Sequence, residues 1–430
     1  MQGDFHYYAT YCAALLAGYT PAESTEICYS AQMADWCTRT FLSKLHAPLS
    51  AATTQSPIEL AEARTDPIGL QDITRIWASF HFLPGDFYAE VPKGSRNYRE
   101  KYRLICNPNG PLLADTVKLA KDRSLQAAGL AMHVLADTWA HRYFAGTPSL
   151  VINNVSRHFE ELILLTESTS PASMTPDESS TSSASSANVA PAWVERELHE
   201  GEYRALPTRF TNNPKPADNP ETSIYVRSVY QIDENSIMNL GHGRAGHFPD
   251  YSFARYRYLP AWGDYAMVLK DNPSDYYHAF AQMVYALRYL RGEYSSFEVN
   301  RYDWHIVAPW EEQIHTLLER RQLKASDDWR ELGARISGVE LEPFDVNRHV
   351  DEYLDATQSE HDKTVLGRYI LAALAQKSMV TNRIYASGNI LAGRSIDYDT
   401  HGFAGIRDYV SLLHHYGSAG RTLDAKRGTR

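Results

Sequence analysis

The stretch SLQAAGLAMHVLADTWAHRYFAG, residues 124–146, limits what this chain can fold into more than any other. It reads as one helix built mostly from Ala, Leu, Met and Gly. His133, Asp137 and His141 recur in it at i, i+4 and i+8. At 3.6 residues per turn those positions share one face, so two imidazoles and a carboxylate line a single stripe. Neutral imidazole and carboxylate form a ligand set that suits zinc. The helix is otherwise apolar enough to be buried, and a buried charge is costly unless it is paired or bound to metal. Small residues (Ala127, Ala128, Gly129, Ala131, Ala136, Ala140) let neighbouring helices approach closely and bring further ligands. The competing reading is a core helix whose histidines hydrogen-bond to their neighbours, because spacing alone is a hypothesis.

At 430 residues the chain can bury a large core. Charged residues make up 22% and hydrophobic ones 43%, the balance of an ordinary globular protein. A net charge of -10 argues against nonspecific duplex-DNA binding, which needs a basic face. A nuclease stays open, since bound cations supply local positive charge. The four cysteines (Cys12, Cys28, Cys37, Cys106) form no C-x-x-C pair and read as small reduced hydrophobes. The opening MQGDFHYYATYC has neither a basic n-region nor an apolar h-region, so no signal peptide is expected there. No apolar run reaches the length of a membrane span. The expected location is cytoplasmic, with signal-independent export left open.

Residues 4–17 are expected to form a helix, with Asp4 as its N-cap and Gly18 as its stop. Thr20, Pro21 and Glu23 spell a capped start for a second helix. Near that helix's end, Asp35 stands among Ala31, Met33, Ala34, Trp36 and Cys37. A carboxylate in such surroundings is either a turn cap or a metal ligand or buried base. The spacing predicts a helix over 70–80 that Pro84 and Gly85 end, leaving His81 at its C-terminus between Phe80 and Phe82. Residues 91–110 read as a polar surface loop, and 111–121 as a helix leading into the central one. Residues 168–192 are rich in Ser, Thr, Ala and Pro and carry no aromatic residue, so a disordered insertion is expected.

Candidate ligands resume in GHGRAGHFPD, residues 241–250. Three glycines and a proline there preclude an ordinary helix, and the loop carries His242, His247 and Asp250. A glycine-rich turn with surface histidines is the plainer alternative. The aromatic run 251–262 (YSFARYRYLPAW) follows, as one wall of a pocket. Helical spacing marks 275–292, 303–322 and 363–380. The remaining histidines (His278, His305, His315, His349, His361, His401, His414, His415) are expected on the surface or in structural roles. The chain is thus expected to be all-α, a large multi-helix bundle interrupted by a long disordered loop. A metal-binding helical core would span 1–262, and a helical extension, 263–430, would pack on the same core.

Taken together, these stations resemble the zinc-dependent phospholipase C superfamily. HVLADTWAH resembles its H-x-x-x-D…H helix, in a form similar to the N-terminal domain of the glycosylphosphatidylinositol-specific phospholipases D. The trinuclear-zinc single-strand nucleases of fungi and plants belong to the same superfamily. His6 matches its N-terminal histidine opening the first helix, Asp35 its lone aspartate at a helix end, and Ser79-Phe80-His81-Phe82 its S-x-F-H-F-type station. The opening DFHYYATYC and the loop GHGRAGHFPD look closer still to an uncharacterised bacterial family placed near that superfamily.

The resemblance implies a metal-dependent phosphoesterase, of phosphodiesterase type, with two or three zinc ions. Its metal ligands would be His6, Asp35, His81, His133, Asp137, His141, His242 and His247. Asp137 would bridge metals, and Asp35 would orient the attacking water or accept its proton. A lipid headgroup and a single-stranded nucleic acid are the two substrate classes implied. The second wants aromatic stacking platforms, for which Tyr251, Phe253, Tyr256 and Tyr258 are candidates. A non-catalytic, metal-stabilised helical protein is the third reading. Two departures from the pattern matter. The superfamily uses a processed N-terminal amine as a ligand, whereas here Met1 precedes His6 with no cleavage signal. Its last ligand pair is a His and a Glu four apart on a helix. Here His242 and His247 lie in a loop, with His158 and Glu161 as the alternative.

Overall fold

A computed structural model of the protein describes residues 1–63, 67–91, 94–149, 151–155, 159–165, 188–207, 240–262, 266–389 and 391. A π-helical turn (Asp4–Ala9) runs directly into α1 (Thr10–Leu16). Then come α2 (Pro21–Met33), α3 (Arg39–Lys44), α4 (Pro57–Ala63), α5 (Pro67–Phe80), α6 (Arg96–Tyr102), α7 (Pro111–Ala120) and α8 (Leu125–Ala140). Four strands follow: β1 (Glu160–Leu164), β2 (Tyr203–Pro207), β3 (Arg255–Tyr258) and β4 (Val268–Asp271). The chain continues through α9 (Asn272–Leu290), α10 (Trp304–Val307), α11 (Glu311–Glu319), α12 (Ser326–Ser337), α13 (Val350–Asp355) and α14 (Val365–Ala386).

Helix α8 is the hub. Ser124 caps it by accepting a hydrogen bond from the Ala127 amide at 3.2 Å, and every side chain from Gln126 to Ala140 is buried. Helices α2, α7, α9 and α14 surround it. The approach of α2 is close because position 129 has no side chain: a Cβ there would lie 2.1 Å from the Ile27 carbonyl oxygen. One apolar cluster includes Phe5, Val134, Tyr276, Trp329 and Tyr369, so residues on both sides of position 262 share a core.

The start of α2 follows the sequence closely. The Thr20 hydroxyl accepts from the Glu23 amide, the Glu23 carboxylate accepts from the Thr20 amide at 2.9 Å, and Pro21 opens the helix. Gly18 takes φ 87°, the left-handed turn that ends α1. Asp4 departs from expectation. It lies inside the π-helical turn, and its carboxylate accepts from the amides of Phe5 and Ala325, both at 2.8 Å, instead of capping the first helix.

The fold is rich in helix but is not all-α. The strands form an antiparallel sheet in the order β2-β1-β3-β4, with Glu161 opposite Tyr256 and Tyr256 opposite Lys270. Beneath it lies a second, aromatic cluster containing Phe144, Phe159, Phe248, Tyr256 and Tyr258. Aromatic residues at alternate positions of a short strand suit a pleated, half-buried surface. The predicted polar loop 91–110 contains α6, started by Ser95, whose hydroxyl accepts from the Tyr98 amide at 3.2 Å. The predicted helix 303–322 is broken. Pro309 lacks an amide hydrogen, and a 3₁₀ turn (Ala308–Trp310) separates α10 from α11.

Of the expected insertion 168–192, residues 168–187 lie outside the described residues, as do His401, His414 and His415. Where the chain resumes, the Asn188 amide donates to the Tyr302 carbonyl and the Trp193 indole donates to Glu311 at 3.1 Å. No described helix is long and apolar enough to cross a membrane.

Candidate metal centre

The face of α8 predicted to carry ligands points into a buried cluster of imidazoles and carboxylates. Asp137, 1% exposed, is its centre, and its two oxygens face different partners. Oδ1 is 3.1 Å from His6 Nε2 and 2.6 Å from the Met1 amine. Oδ2 is 3.1 Å from His81 Nδ1 and 3.3 Å from His133 Nε2. The His81 and His133 nitrogens are themselves 3.2 Å apart, and Asp35 Oδ1 lies 3.9 Å from His81 Nδ1. His6 reaches the cluster from the π-helical turn, a distortion frequent at functional sites. Its ring stacks on His133 with centroids 3.9 Å apart.

A second cluster lies at the end of α8. His141 is the residue on which that helix stops, and its Nε2 is 3.2 Å from Asp250 Oδ1. His242 Nε2 is 3.6 Å from the same oxygen. The Met1 amine stands between the clusters, 3.3 Å from His141 Nε2 and 3.4 Å from Asp250 Oδ1.

Hydrogen bonds to backbone carbonyls fix which ring nitrogens face the cluster. A carbonyl oxygen can only accept, so an imidazole nitrogen bonded to one must carry the proton. His81 Nε2 lies 3.0 Å from the Thr53 carbonyl, His141 Nδ1 2.6 Å from that of His81, and His242 Nδ1 2.6 Å from that of Gly246. In each of the three, the other nitrogen faces the carboxylates of the cluster, His81 Nδ1 toward Asp137 and the Nε2 atoms of His141 and His242 toward Asp250. This is the arrangement by which outer hydrogen bonds orient metal-binding histidines. Neither nitrogen of the fully buried His6 has a hydrogen-bond partner of normal geometry among the described residues, and neither does His133 Nδ1. Leaving buried polar atoms unsatisfied costs free energy that a bound ligand restores.

Protonation favours a cation as well. Burial alone would raise the Asp137 carboxyl, but His141, the Met1 amine, His6 and His133 hold it well below the usual range. Asp250 is likewise held down against burial, chiefly by His242 and the Met1 amine. Burial, then the neighbouring His133, lowers His6 to about 4. Burial lowers His242 to about 4 although Asp250 pulls the other way. Burial also works against charge on the Met1 amine, but Asp137, Asp250 and Asp35 raise it to about 10. Ionised carboxylates beside neutral imidazoles are the protonation states that metal binding requires.

Among the described residues, three ligand groups emerge: His6 with His133 and Asp137; Asp35 with His81 and His133; and His141 with His242 and Asp250. Within each, the ligand atoms lie within 4.8 Å of one another. Around a tetrahedral ion with ligand bonds of about 2.0–2.2 Å, neighbouring donors stand roughly 3.3–3.6 Å apart. Within these groups His6–Asp137 at 3.1 Å, His133–Asp137 at 3.3 Å, His81–His133 at 3.2 Å, His141–Asp250 at 3.2 Å and His242–Asp250 at 3.6 Å lie near that spacing, and Asp35–His81 is wider at 3.9 Å. These groups fit a metal ion in both donor type and geometry.

Seven of the eight metal-ligand candidates from the sequence join these groups; His247 does not. Its Nδ1 lies 3.0 Å from Asp250 Oδ2 and its side chain is half exposed, so it orients the carboxylate from outside. Burial would lower its pKa, but the hydrogen bond to Asp250 raises it. Asp250 itself takes the ligand position, because the 3₁₀ turn Phe248–Asp250 directs its side chain inward. His158 lies outside the described residues, and Glu161 is ion-paired to Arg321 at 2.5 Å. Tyr251, Phe253, Tyr256 and Tyr258 are at most 5% exposed, so these rings are core and offer no face to a base. Trp36, the residue after Asp35 in the chain, is 51% exposed, with its ring 6.2 Å from that of Phe344.

Fold and site thus define a helix-rich protein with a buried centre of imidazole and carboxylate able to hold metal ions. The chain belongs to the Family of unknown function (DUF6765), whose model matches residues 1–384. That span takes in every ligand described above. No curated protein and no solved structure matches the chain.

Proposed function

We propose that the protein is a zinc-dependent phosphoesterase, of phosphodiesterase type, with two or three zinc ions at this centre. The observation that carries the reading is the Asp137 carboxylate. One oxygen faces His6 and the other faces His81 and His133, while a third ligand group begins one helical turn on at His141. A carboxylate whose two oxygens face different imidazoles suits adjacent cations, and adjacent cations suit phosphoryl transfer. Bound zinc would lower the pKa of water and neutralise the phosphoryl oxygens.

The chain's own residues do the rest. His6, His81, His133, His141 and His242 would hold the ions with Asp137 and Asp250. The backbone carbonyls of Thr53, His81 and Gly246 keep three of those rings aimed inward. Asp35 is the most exposed member of the three groups, with a side chain 30% exposed against 16% for His242. The Gln32 amide donates to its Oδ2 at 3.1 Å, which leaves Oδ1 toward His81. From there Asp35 Oδ1 would orient the attacking water and accept its proton. Trp36, next to Asp35 in the chain and 51% exposed, would supply an apolar wall for the part of the substrate beyond the phosphate.

The test is a substrate panel run with zinc-loaded and chelated protein: p-nitrophenyl phosphate, bis(p-nitrophenyl) phosphate, p-nitrophenylphosphorylcholine and single-stranded oligonucleotides. Turnover of a diester that chelation removes and zinc restores, and that Asp35→Asn abolishes with zinc still bound, supports the reading. Zinc-loaded protein inert on the whole panel would leave a metal-stabilised helical protein without catalysis.

A further inference from the structure

The three ligand groups are built differently. Those of Asp137 and Asp35 share His133, and their histidines come from the π-helical turn, the end of α5 and α8. The group of His141, His242 and Asp250 shares no residue with either and takes two ligands from the 241–250 loop. Such a group needs something that holds the loop. At one end the Gly241 amide donates to the Ala145 carbonyl at 3.1 Å. Gly241 has φ 54°, and a Cβ there would lie 2.2 Å from the Phe82 ring. At the other end stands Asn272, the first residue of α9, with no exposed surface. Its Nδ2 donates to the carbonyls of Phe248 and Tyr251, each at 2.8 Å, with that of Pro249 further off at 3.4 Å. These carbonyls flank Asp250 on both sides. Three acceptors facing one side-chain amide leave no choice of which end points at them: the NH2 must.

We infer that the His141/His242/Asp250 group is a metal site loaded separately from the deep one, and that Asn272 is the positioning residue that builds it. The inference rests on the zinc reading of the centre. The deep site takes its zinc first and releases it last, because its ligands His6, His133 and Asp137 are all at most 1% exposed and are set by packed helices. The loop site depends on the two-proton NH2 of one side chain. Outer-contact residues of this kind change metal affinity by about 10–100-fold when removed.

The experiment measures zinc content and zinc release to a chromogenic chelator, with melting of the metal-free protein as the control for folding. Wild type is expected to release zinc in two phases. Asp250→Asn and Asn272→Ala are each expected to lose the fast phase, keep the slow one and bind one fewer zinc. Asn272→Gln, whose amide reaches too far to meet the same carbonyls, serves if the alanine variant does not fold and is expected to lose the same phase. If Asp250→Asn loses all its zinc while its metal-free melt is unchanged, separate loading is overturned. Wild-type zinc content in a folded Asn272 variant overturns the positioning role. Zinc that binds in this pattern to a protein inert on phosphoesters would leave the inference standing and remove the phosphoesterase reading. A wild type that binds no zinc overturns both.

Discussion

Asp137→Asn tests the centre most directly, because the substitution keeps the shape of the side chain and removes only its charge. In the metal-free protein the carboxylate is paired at 2.6 Å with the Met1 amine, and both groups are buried. The variant leaves that ammonium with Asp250 at 3.4 Å as its nearest carboxylate. Removing one partner of a buried pair costs about 3–5 kcal/mol. With an unfolding entropy of about 2.1 cal/mol/K per residue over a chain of this length, the metal-free melt should fall by roughly 3–6 °C.

Zinc adds a second, separable effect. A site held at a free zinc concentration 100 times its Kd stabilises the native state by about 2.7 kcal/mol. Wild type should therefore melt higher with zinc than with chelator. Asp137→Asn, lacking the anionic oxygens that face His6 on one side and His81 and His133 on the other, should lose most of that difference together with its deep zinc and any phosphoesterase activity. His46→Ala, on an exposed turn away from every ligand, should change none of these. The assay is elemental analysis beside paired melts in zinc and in chelator. Wild-type zinc content in Asp137→Asn would refute the bridging assignment. A metal-free variant as stable as wild type would refute the ion-pair argument.

Three further outcomes are expected. Trp36→Ala should raise KM for the diester found in the substrate panel while leaving kcat within about twofold, since uniform binding is all it would remove; a fall in kcat alone would be the wrong result. Gly129→Ala should cost about 1–3 kcal/mol through overpacking against Ile27 and Ser30, against roughly 1 kcal/mol gained in helix propensity, for a net loss of up to about 2 kcal/mol; a higher melting temperature would show that α2 and α8 are not so close. Burial works against the Glu319 charge, but Arg255 and His315 lower its pKa from 4.5 to about 2, so the stability this carboxylate contributes is present above pH 4.5 and lost as pH falls towards 2. Urea midpoints of wild type and Glu319→Gln should therefore differ at pH 7 and converge near pH 2; a constant gap would contradict the assignment.

What the sequence reveals of the fold follows the range of the forces involved. Capping is local, so Thr20, Pro21, Glu23 and Gly18 could be read directly. The central helix is legible because an apolar period sustained over four turns has few competing explanations. The sheet is not, because β3 and β4 are four residues each, too short to establish a period. The other partner of β3, β1, stands far away in the chain. Asp4 has the residue type of a cap, yet the contact that occupies its carboxylate comes from Ala325, over three hundred residues away.

The site divides along the same line. His133, Asp137 and His141 share a stripe because helical geometry requires it. That they serve two clusters depends on α8 stopping at His141, where the backbone turns to φ -92° and ψ 13°. His247 and Asp250 were both visible in the loop, and imidazole is the commoner metal ligand. The structure reverses their roles through the 3₁₀ turn at Phe248–Asp250, which buries the carboxylate and leaves the imidazole half exposed. The signal that could have shown this is His247-Phe248-Pro249-Asp250 itself. Pro249 at the start of a tight turn places residues three apart side by side, so one of the two must lie outside the other. An imidazole bonded through Nδ1 to a carboxylate that faces inward is an outer contact, and any metal held there meets Asp250 before His247.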